Sequence, residues 1–176
     1  MPTPTYDLIA SSNVTSAVNN VTFSNIPATY DDLVLHISSI YQTNDGTPNN
    51  ASVFMQINGD TSSSYSFRVF RAVGSPIASV GQSYGLSSTG EISAAGDSIS
   101  LTYGSSGTFT IFQYKNTSNY KQVMTNFGNA PQGQGADLIG NFVWANTSAI
   151  TSLKFYPQRN SFVSGTQLYL YGIKGS

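Results

Sequence analysis

The stretch Leu33-Val34-Leu35-His36-Ile37-Ser38 shows the pattern of a β-strand, because its side chains separate into two faces with a period of two. Successive side chains of a β-strand point to opposite faces, so Leu33, Leu35 and Ile37 share one face of a predicted strand. No window of about twelve residues carries an apolar stripe with the 3.6-residue period of a helix. The same alternation recurs at residues 67–71, 99–103, 109–114, 123–127, 138–144, 150–156 and 167–173.

Turn-forming residues separate these predicted strands, among them Asn44-Asp45-Gly46, Asn58-Gly59-Asp60 and 104–107. Short strands at such spacing are typical of a sandwich or barrel. Asn58-Gly59 predicts a hairpin between strands 53–57 and 65–73, because Asn-Gly adopts positive φ readily. Two longer segments, 41–51 and 129–137, are predicted to be loops at the ends of the sandwich. We therefore predict an all-β fold: one antiparallel β-sandwich domain over residues 1–176, with 1–5 as an extended N-terminal arm.

The composition argues against catalysis. Seven Lys or Arg and eight Asp or Glu are present among 176 residues, together with one His and no Cys. Typical domains have about a quarter charged residues. The net charge of −1 and the lack of a basic stripe argue against nucleic acid as a partner, since phosphates require several cations. We predict no signal peptide, because a basic segment followed by an apolar one is missing at the N-terminus, and no membrane span.

Few residues suggest a reaction or a metal site. His36 lies mid-strand without a nucleophile motif, which favours a surface or interface histidine over a catalytic base. The acids fall mostly at strand ends and turns, where Asp caps the backbone, so an opposed catalytic pair is not expected. Asn58, Asp60 and Thr61 offer oxygen atoms, but too few carboxylates for a typical calcium loop. We predict no catalytic residue, no cofactor and no metal.

The polar and aromatic residues point instead to binding. Eleven Tyr, ten Phe and one Trp are present, and exposed aromatic rings anchor protein interfaces or stack on sugars. Leu168 and Leu170 share one face of a predicted strand, and two tyrosines share the other. The segment 132–135 lacks the Lys-Ser/Thr of a phosphate-binding loop and is interpreted as a mobile or interface loop. The predicted interface or glycan contacts are Tyr41, Asn44, Asp45, Gln132, Gln134, Tyr169 and Tyr171.

Several segments carry a family resemblance. They are Tyr6-Asp7-Leu8-Ile9-Ala10, Val21-Thr22-Phe23-Ser24-Asn25-Ile26-Pro27, Thr29-Tyr30-Asp31-Asp32-Leu33-Val34-Leu35, Ile57-Asn58-Gly59-Asp60-Thr61, Ser64-Tyr65-Ser66, Ala149-Ile150-Thr151-Ser152-Leu153, Phe162, Gly165-Thr166, and Leu168-Tyr169-Leu170-Tyr171-Gly172-Ile173-Lys174. In this order they resemble a family of small virion structural proteins of tailed bacteriophages, frequent among marine and cyanobacterial phages. The segment 74–106 departs from that pattern.

The resemblance implies a jelly-roll-like sandwich, located in the virion and present in many copies, without catalytic residues. A capsid decoration or cement protein, or a head fibre, would bind the major capsid protein or other virion proteins, as a homo-oligomer. The alternative is a tail-fibre or adhesin domain that binds a host receptor or surface glycan. A third hypothesis is a polysaccharide depolymerase, which the shortage of carboxylates disfavours. We favour decoration, because interface cores are poor in charge and rich in aromatic residues.

Overall fold

The part of the chain that the structure describes forms twelve β-strands. The computed structural model describes residues 6–40, 53–73, 78–87, 90–93, 105–129, 136–157 and 161–174. Within these ranges the regular elements are strands, as the alternating sequence predicted. The strands are β1 (Tyr6–Asn13), β2 (Val21–Phe23), β3 (Asp32–Ile40), β4 (Val53–Ile57), β5 (Tyr65–Val73), β6 (Ala78–Ser87), β7 (Gly90–Ser93), β8 (Ser105–Phe112), β9 (Lys121–Asn129), β10 (Ala136–Trp144), β11 (Leu153–Pro157) and β12 (Gln167–Ile173).

The strands form two antiparallel sheets. The larger sheet has the order β1-β12-β3-β8-β9-β10-β5-β6, and the smaller has the order β2-β11-β4-β7. Buried side chains from both sheets belong to one hydrophobic core. The prediction of an all-β antiparallel fold is confirmed, and the two sheets are arranged like a sandwich. The jelly-roll form and the single-domain assignment stay predictions.

Alternation along the central strands sets which face enters the core. Leu33, Leu35 and Ile37 of β3 are fully buried, while His36 on the same strand is exposed. Leu35 pairs with Leu170 of β12 on one side and with Phe109 of β8 on the other, so the buried positions align across strands. Burying such side chains contributes about 1.5–3 kcal/mol each, and a one-residue slip would expose them all.

The Asn58-Gly59 turn forms as predicted, but the hairpin does not. Asn58 has φ 53° and Gly59 has φ 69°, the positive values that favour these residues. However, β4 before the turn pairs with β11 and β7, and β5 after it pairs with β10 and β6. The turn is therefore a corner at which the chain passes from the smaller sheet to the larger one. A hairpin would require β4 and β5 to pair, and long-range partners occupy both strands.

Two other predicted boundaries are wrong in part. The predicted turn at 104–107 is strand from Ser105 onward, because β8 pairs with β9 there and Ser106 lies opposite Gly128. The predicted loop at 129–137 is shorter, since Asn129 and Ala136 are paired in the hairpin of β9 and β10. The predicted loop 41–51, the predicted strand 99–103 and the proposed arm 1–5 lie outside the described residues.

Candidate docking face and adjoining cleft

The predicted contact residues fall in two groups. Tyr169 and Tyr171 lie on β12, partly exposed, and point away from the core that Leu168 and Leu170 enter. This arrangement confirms the predicted two-faced strand. Five predicted contacts lie outside the described residues: Tyr41, Asn44, Asp45, Gln132 and Gln134.

The two tyrosines are packed by neighbouring strands. The ring of Tyr169 lies 6.5 Å from that of His36 on β3, and its hydroxyl donates a hydrogen bond to the Gln167 Oε1 at 3.3 Å. Tyr171 makes an edge contact with Tyr6 of β1, with ring centroids 6.4 Å apart. Aromatic pairs at such distances stabilise their arrangement by about 0.5–1.5 kcal/mol. The tyrosines are therefore held in place at the β1–β12 edge of the sheet.

His36 is a surface histidine, and the two carboxylates near it in sequence bind Lys115 and Gln113. Asp31 forms an ion pair with Lys115 at 2.9 Å. Asp32 Oδ1 accepts a hydrogen bond from the Gln113 backbone N–H at 2.7 Å. Both acids therefore contact the segment that follows β8.

The outward side of the larger sheet, here called the outer face, forms continuous rows of side chains across seven strands. One row runs through Leu8, Tyr171, Val34, Thr110, Met124, Asn141 and Arg68. The next runs through Ser11, Tyr169, His36, Thr108, Asn126, Ile139 and Phe70. In these two rows Arg68 is the one Lys, Arg, Asp or Glu residue.

Exposed hydrophobic side chains are concentrated on this outer face. Phe70 is 59% exposed, Ile139 is 56% exposed and Met124 is 51% exposed. Among the described residues, the large hydrophobic side chains that are exposed are Tyr6, Leu8, Phe70, Phe112, Tyr120, Met124 and Ile139. All of these lie on the outer face except Tyr120, which immediately precedes β9 at the end of that face. Soluble monomers rarely leave such residues gathered on one side, so the outer face is a candidate docking surface.

Sequence reasoning missed most of this face. Phe70, Met124 and Ile139 lie in predicted strands, and alternation places Ile139 on the side of its strand opposite to Leu138 and Phe142 without showing which of the two sides is buried. When both sides of a strand carry apolar residues, the sequence does not show which side is buried, because either side could pack in the hydrophobic core. The pairing of the strands decides which side is covered.

At one end of the outer face the chain between β8 and β9 forms a fixed loop, 113–120. Gln113 has φ 47°, and its N–H is bound by Asp32. Tyr114 is fully buried beneath the loop; its hydroxyl donates to the Pro27 carbonyl and accepts from the Tyr30 N–H. Asn116 Oδ1 accepts from the Ser118 N–H at 2.6 Å, so the Asn116 side chain caps the turn that follows it. Such contacts hold the loop in one conformation.

Lys121 closes the loop from below. Its side chain is buried, and Nζ donates to the carbonyls of Asn119 at 2.9 Å and Thr147 at 3.0 Å. Desolvation lowers the pKa of Lys121. The ammonium therefore joins the 113–120 loop to the segment after β10.

Two adjoining cavities flank Phe112 at this loop. The first, of about 410 Å³, is lined by Phe112, Gln113, Asn119, Tyr120 and Gln122. The second, of about 580 Å³, is lined by Asp31, Asp32, Phe112, Gln113, Lys115 and Asn116. We call the two together the Phe112 cleft. Both volumes lie within the range of about 300–1,000 Å³ that is usual for ligand sites.

The side-chain oxygen atoms of Asn58 and Asp60 belong to the corner between the sheets. The Asn58 side chain donates to the Ala149 carbonyl at 2.8 Å and accepts from the Thr151 N–H at 2.8 Å. The Asp60 carboxylate accepts from Ser62 and Ser64 and from the Trp144 indole N–H at 2.7 Å. Burial raises the pKa of Asp60, but the hydrogen bonds from Ser62, Trp144 and Ser64 outweigh it and hold the pKa well below its usual range. These contacts give both side chains a structural role.

In the described part of the chain, no three His, Asp or Glu side chains lie close enough together to hold a metal ion. No helix among the described residues is long and apolar enough to cross a membrane. Compared with known proteins, the sequence matches no family model and no curated protein.

Proposed function

We propose that this chain is a non-enzymatic structural protein of a phage virion, a capsid decoration, cement or head-fibre protein that docks through its outer face. The observation that carries the proposal is the gathering of exposed Phe70, Met124 and Ile139 on one charge-poor sheet face. Interface cores are depleted in charge and enriched in aromatic residues and Met. The family resemblance of the chain adds the virion as the place where this docking occurs.

A charge-poor face suits a protein that docks on the major capsid protein or another virion protein. Polar positions of the rows carry Thr108, Thr110, Asn126 and Asn141, which exchange hydrogen bonds with water for bonds with a partner. Burying an unpaired charge would cost several kcal/mol, and these rows contain one such residue, Arg68. Many copies, or a homo-oligomer, would multiply modest contacts into firm attachment.

The test places a charge at the centre of the outer face. Ile139→Asp and Phe70→Asp change exposed side chains, so the variants should fold while docking weakens about tenfold or more. Thr22→Asp is the matched control, because Thr22 is an exposed strand residue of the smaller sheet. Purified proteins are added to particles that lack this chain, and bound protein is quantified after sedimentation.

The outcomes separate the docking surface from the location on the particle. Loss of binding with the outer-face variants, but not with Thr22→Asp, supports the proposal. Equal binding of all variants would show that another surface docks. Recovery of the protein in the tail fraction of disrupted particles, rather than with capsids, would contradict the decoration role.

The alternative function is a tail-fibre or adhesin domain that binds a host receptor. The partly exposed pair Tyr169 and Tyr171, backed by Tyr6 and His36, is the observation that favours it. Adsorption of purified protein to host cells distinguishes this role from decoration. Loss of host capsule on adding protein alone would instead indicate a depolymerase.

A further inference from the structure

The Phe112 cleft presents two aromatic rings that the core does not use. Tyr120 is 59% exposed and Phe112 is 39% exposed, and both line the first cavity. Leaving part of each ring exposed to water forgoes part of the free energy that its burial would contribute. Their faces carry the negative side of the ring quadrupole, which attracts the slightly positive C–H groups on one face of a pyranose sugar.

Amide side chains surround these rings. Gln113, Asn119 and Gln122 line the same cavity, and each amide offers both a donor and an acceptor. A sugar hydroxyl also donates and accepts, so adjacent hydroxyls of one ring match an amide. Aromatic faces bordered by amides therefore fit a saccharide better than a purely apolar ligand, which would leave the amides unpaired.

The charges of the cleft select against an acidic ligand. Among the described residues that line the first cavity, none is charged. The second cavity contains Asp31 and Asp32 against Lys115, a formal charge of −1, and Lys115 is paired with Asp31 at 2.9 Å. A carboxylate or sulfate on the sugar would meet this excess of negative charge without a spare cation.

The cleft is also formed before any ligand arrives. Asp32 holds the Gln113 backbone at 2.7 Å, and the buried Tyr114 fixes the base of the loop through Pro27 and Tyr30. Lys121 holds the Asn119 carbonyl at 2.9 Å. A site fixed in this way loses little conformational entropy on binding, which favours the weak, shallow contacts typical of a saccharide.

We propose that the Phe112 cleft is a binding site for a neutral glycan. Phe112 and Tyr120 stack on pyranose rings, and Gln113, Asn119 and Gln122 bind the hydroxyl groups. The adjoining second cavity extends the site for a further sugar unit. Phe112 and Gln122 lie at the end of the outer face, but this inference does not rest on the proposed docking, which Phe70, Met124 and Ile139 carry and which concerns a different class of partner.

The experiment titrates ¹⁵N-labelled protein with neutral and acidic oligosaccharides while amide chemical shifts are recorded. The neutral probes are cellotriose, mannotriose, lactose and N,N′-diacetylchitobiose, and the acidic probe is sialyllactose. We expect at least one neutral probe to bind with a dissociation constant of about 1 mM or tighter and to shift the amides of 112–122. The acidic probe should bind at least about tenfold more weakly.

Tyr120→Ala and Gln122→Ala are the test variants, and Phe70→Ala is the matched control. Phe70 and Tyr120 have the same exposed fraction, 59%, but Phe70 does not line the cleft. We expect binding to weaken about tenfold in each test variant and to stay unchanged in the control. The variants alter exposed side chains, and an unchanged amide spectrum outside the cleft verifies the fold.

Three results would overturn the inference. The first is that no neutral probe binds even at a concentration 20-fold above about 1 mM. The second is that sialyllactose binds more tightly than the neutral probes. The third is that Phe70→Ala weakens glycan binding as much as the test variants do. A failure here leaves sedimentation with particles unaffected, and a failure of docking leaves the glycan titration unaffected. The two proposals are therefore tested separately.

Discussion

Replacing Asp60 by Asn tests how the corner between the two sheets is held. The Trp144 side chain is 1% exposed, and its indole N–H donates to Asp60 Oδ2 at 2.7 Å. The other carboxylate oxygen accepts from the Ser62 N–H at 2.8 Å and the Ser62 hydroxyl at 2.6 Å. An Asn keeps the shape but has one acceptor oxygen. If that oxygen stays with Ser62, its NH₂ group faces the Trp144 N–H.

The magnitude follows from the buried donor. Leaving a buried N–H without an acceptor costs about 1–3 kcal/mol, and charge-assisted bonds are stronger than neutral ones. Asp60 is partly exposed, so water offsets some of that loss. We expect Asp60→Asn to lower the free energy of unfolding by about 2 kcal/mol. In a Trp144→Phe background, where the donor is gone, the same change should cost about 1 kcal/mol or less.

The assay is urea unfolding followed by far-ultraviolet circular dichroism, which does not depend on Trp144. Wild type, the two single variants and the double variant form a double-mutant cycle at pH 7. Additive effects, or a loss below about 0.5 kcal/mol in Asp60→Asn, would contradict a stabilising hydrogen bond between Trp144 and Asp60.

The same pair gives a pH dependence with a defined sign. The folded pKa of Asp60 lies below its ordinary value of 3.8, so the carboxylate stabilises the fold fully above that value. The stabilisation is lost as the pH falls through the folded pKa. The difference in unfolding free energy between wild type and Asp60→Asn should therefore be largest near pH 7 and begin to shrink below about pH 4. A constant difference down to pH 2 would contradict the assignment.

Two further predictions concern the core. Gly107→Ala should lower the free energy of unfolding by about 1–3 kcal/mol, because a Cβ there would lie 2.4 Å from the Phe127 ring and 2.5 Å from the Asn126 carbonyl oxygen. Gly128→Ala is the control, because the atom nearest to its added Cβ would be 3.9 Å away. Urea unfolding should show little change in this control. Burial raises the pKa of Tyr65 to about 12, so the stabilisation by its neutral hydroxyl should be complete below pH 10 and lost as the pH rises toward 12. The free energies of unfolding of wild type and Tyr65→Phe are compared between pH 8 and 12. A difference between these free energies that does not narrow with rising pH would contradict the prediction.

The strands could be predicted because their signal is local. A few neighbouring residues are enough to indicate the buried face of a strand, and the structure buries the predicted side chains: Leu33, Leu35 and Ile37 of β3, and Leu168 and Leu170 of β12. Tyr169 and Tyr171 follow from the same alternation. Nothing equally local separates Ile139 from Leu138, because both are apolar and either could have faced the core.

The corner at Asn58 and the Phe112 cleft needed partners distant in the chain. The turn at Asn58-Gly59 is local, but whether β4 then pairs with β5 depends on β11 and β10, which compete for the two strands. The cleft needs Asp32 to hold Gln113, 81 residues away. Phe112 and Tyr120 alone look like ordinary members of an aromatic-rich chain.

An all-β protein with few charges could be predicted from the amino-acid sequence alone, because strand propensity and alternation act over neighbouring residues. The tertiary structure decided which apolar residues stay outside and which polar residues meet at the cleft. The physical reason is that each strand could pair along either edge and bury either face. The choice minimises exposed apolar area and unpaired backbone groups over the whole molecule, so distant strands set it together.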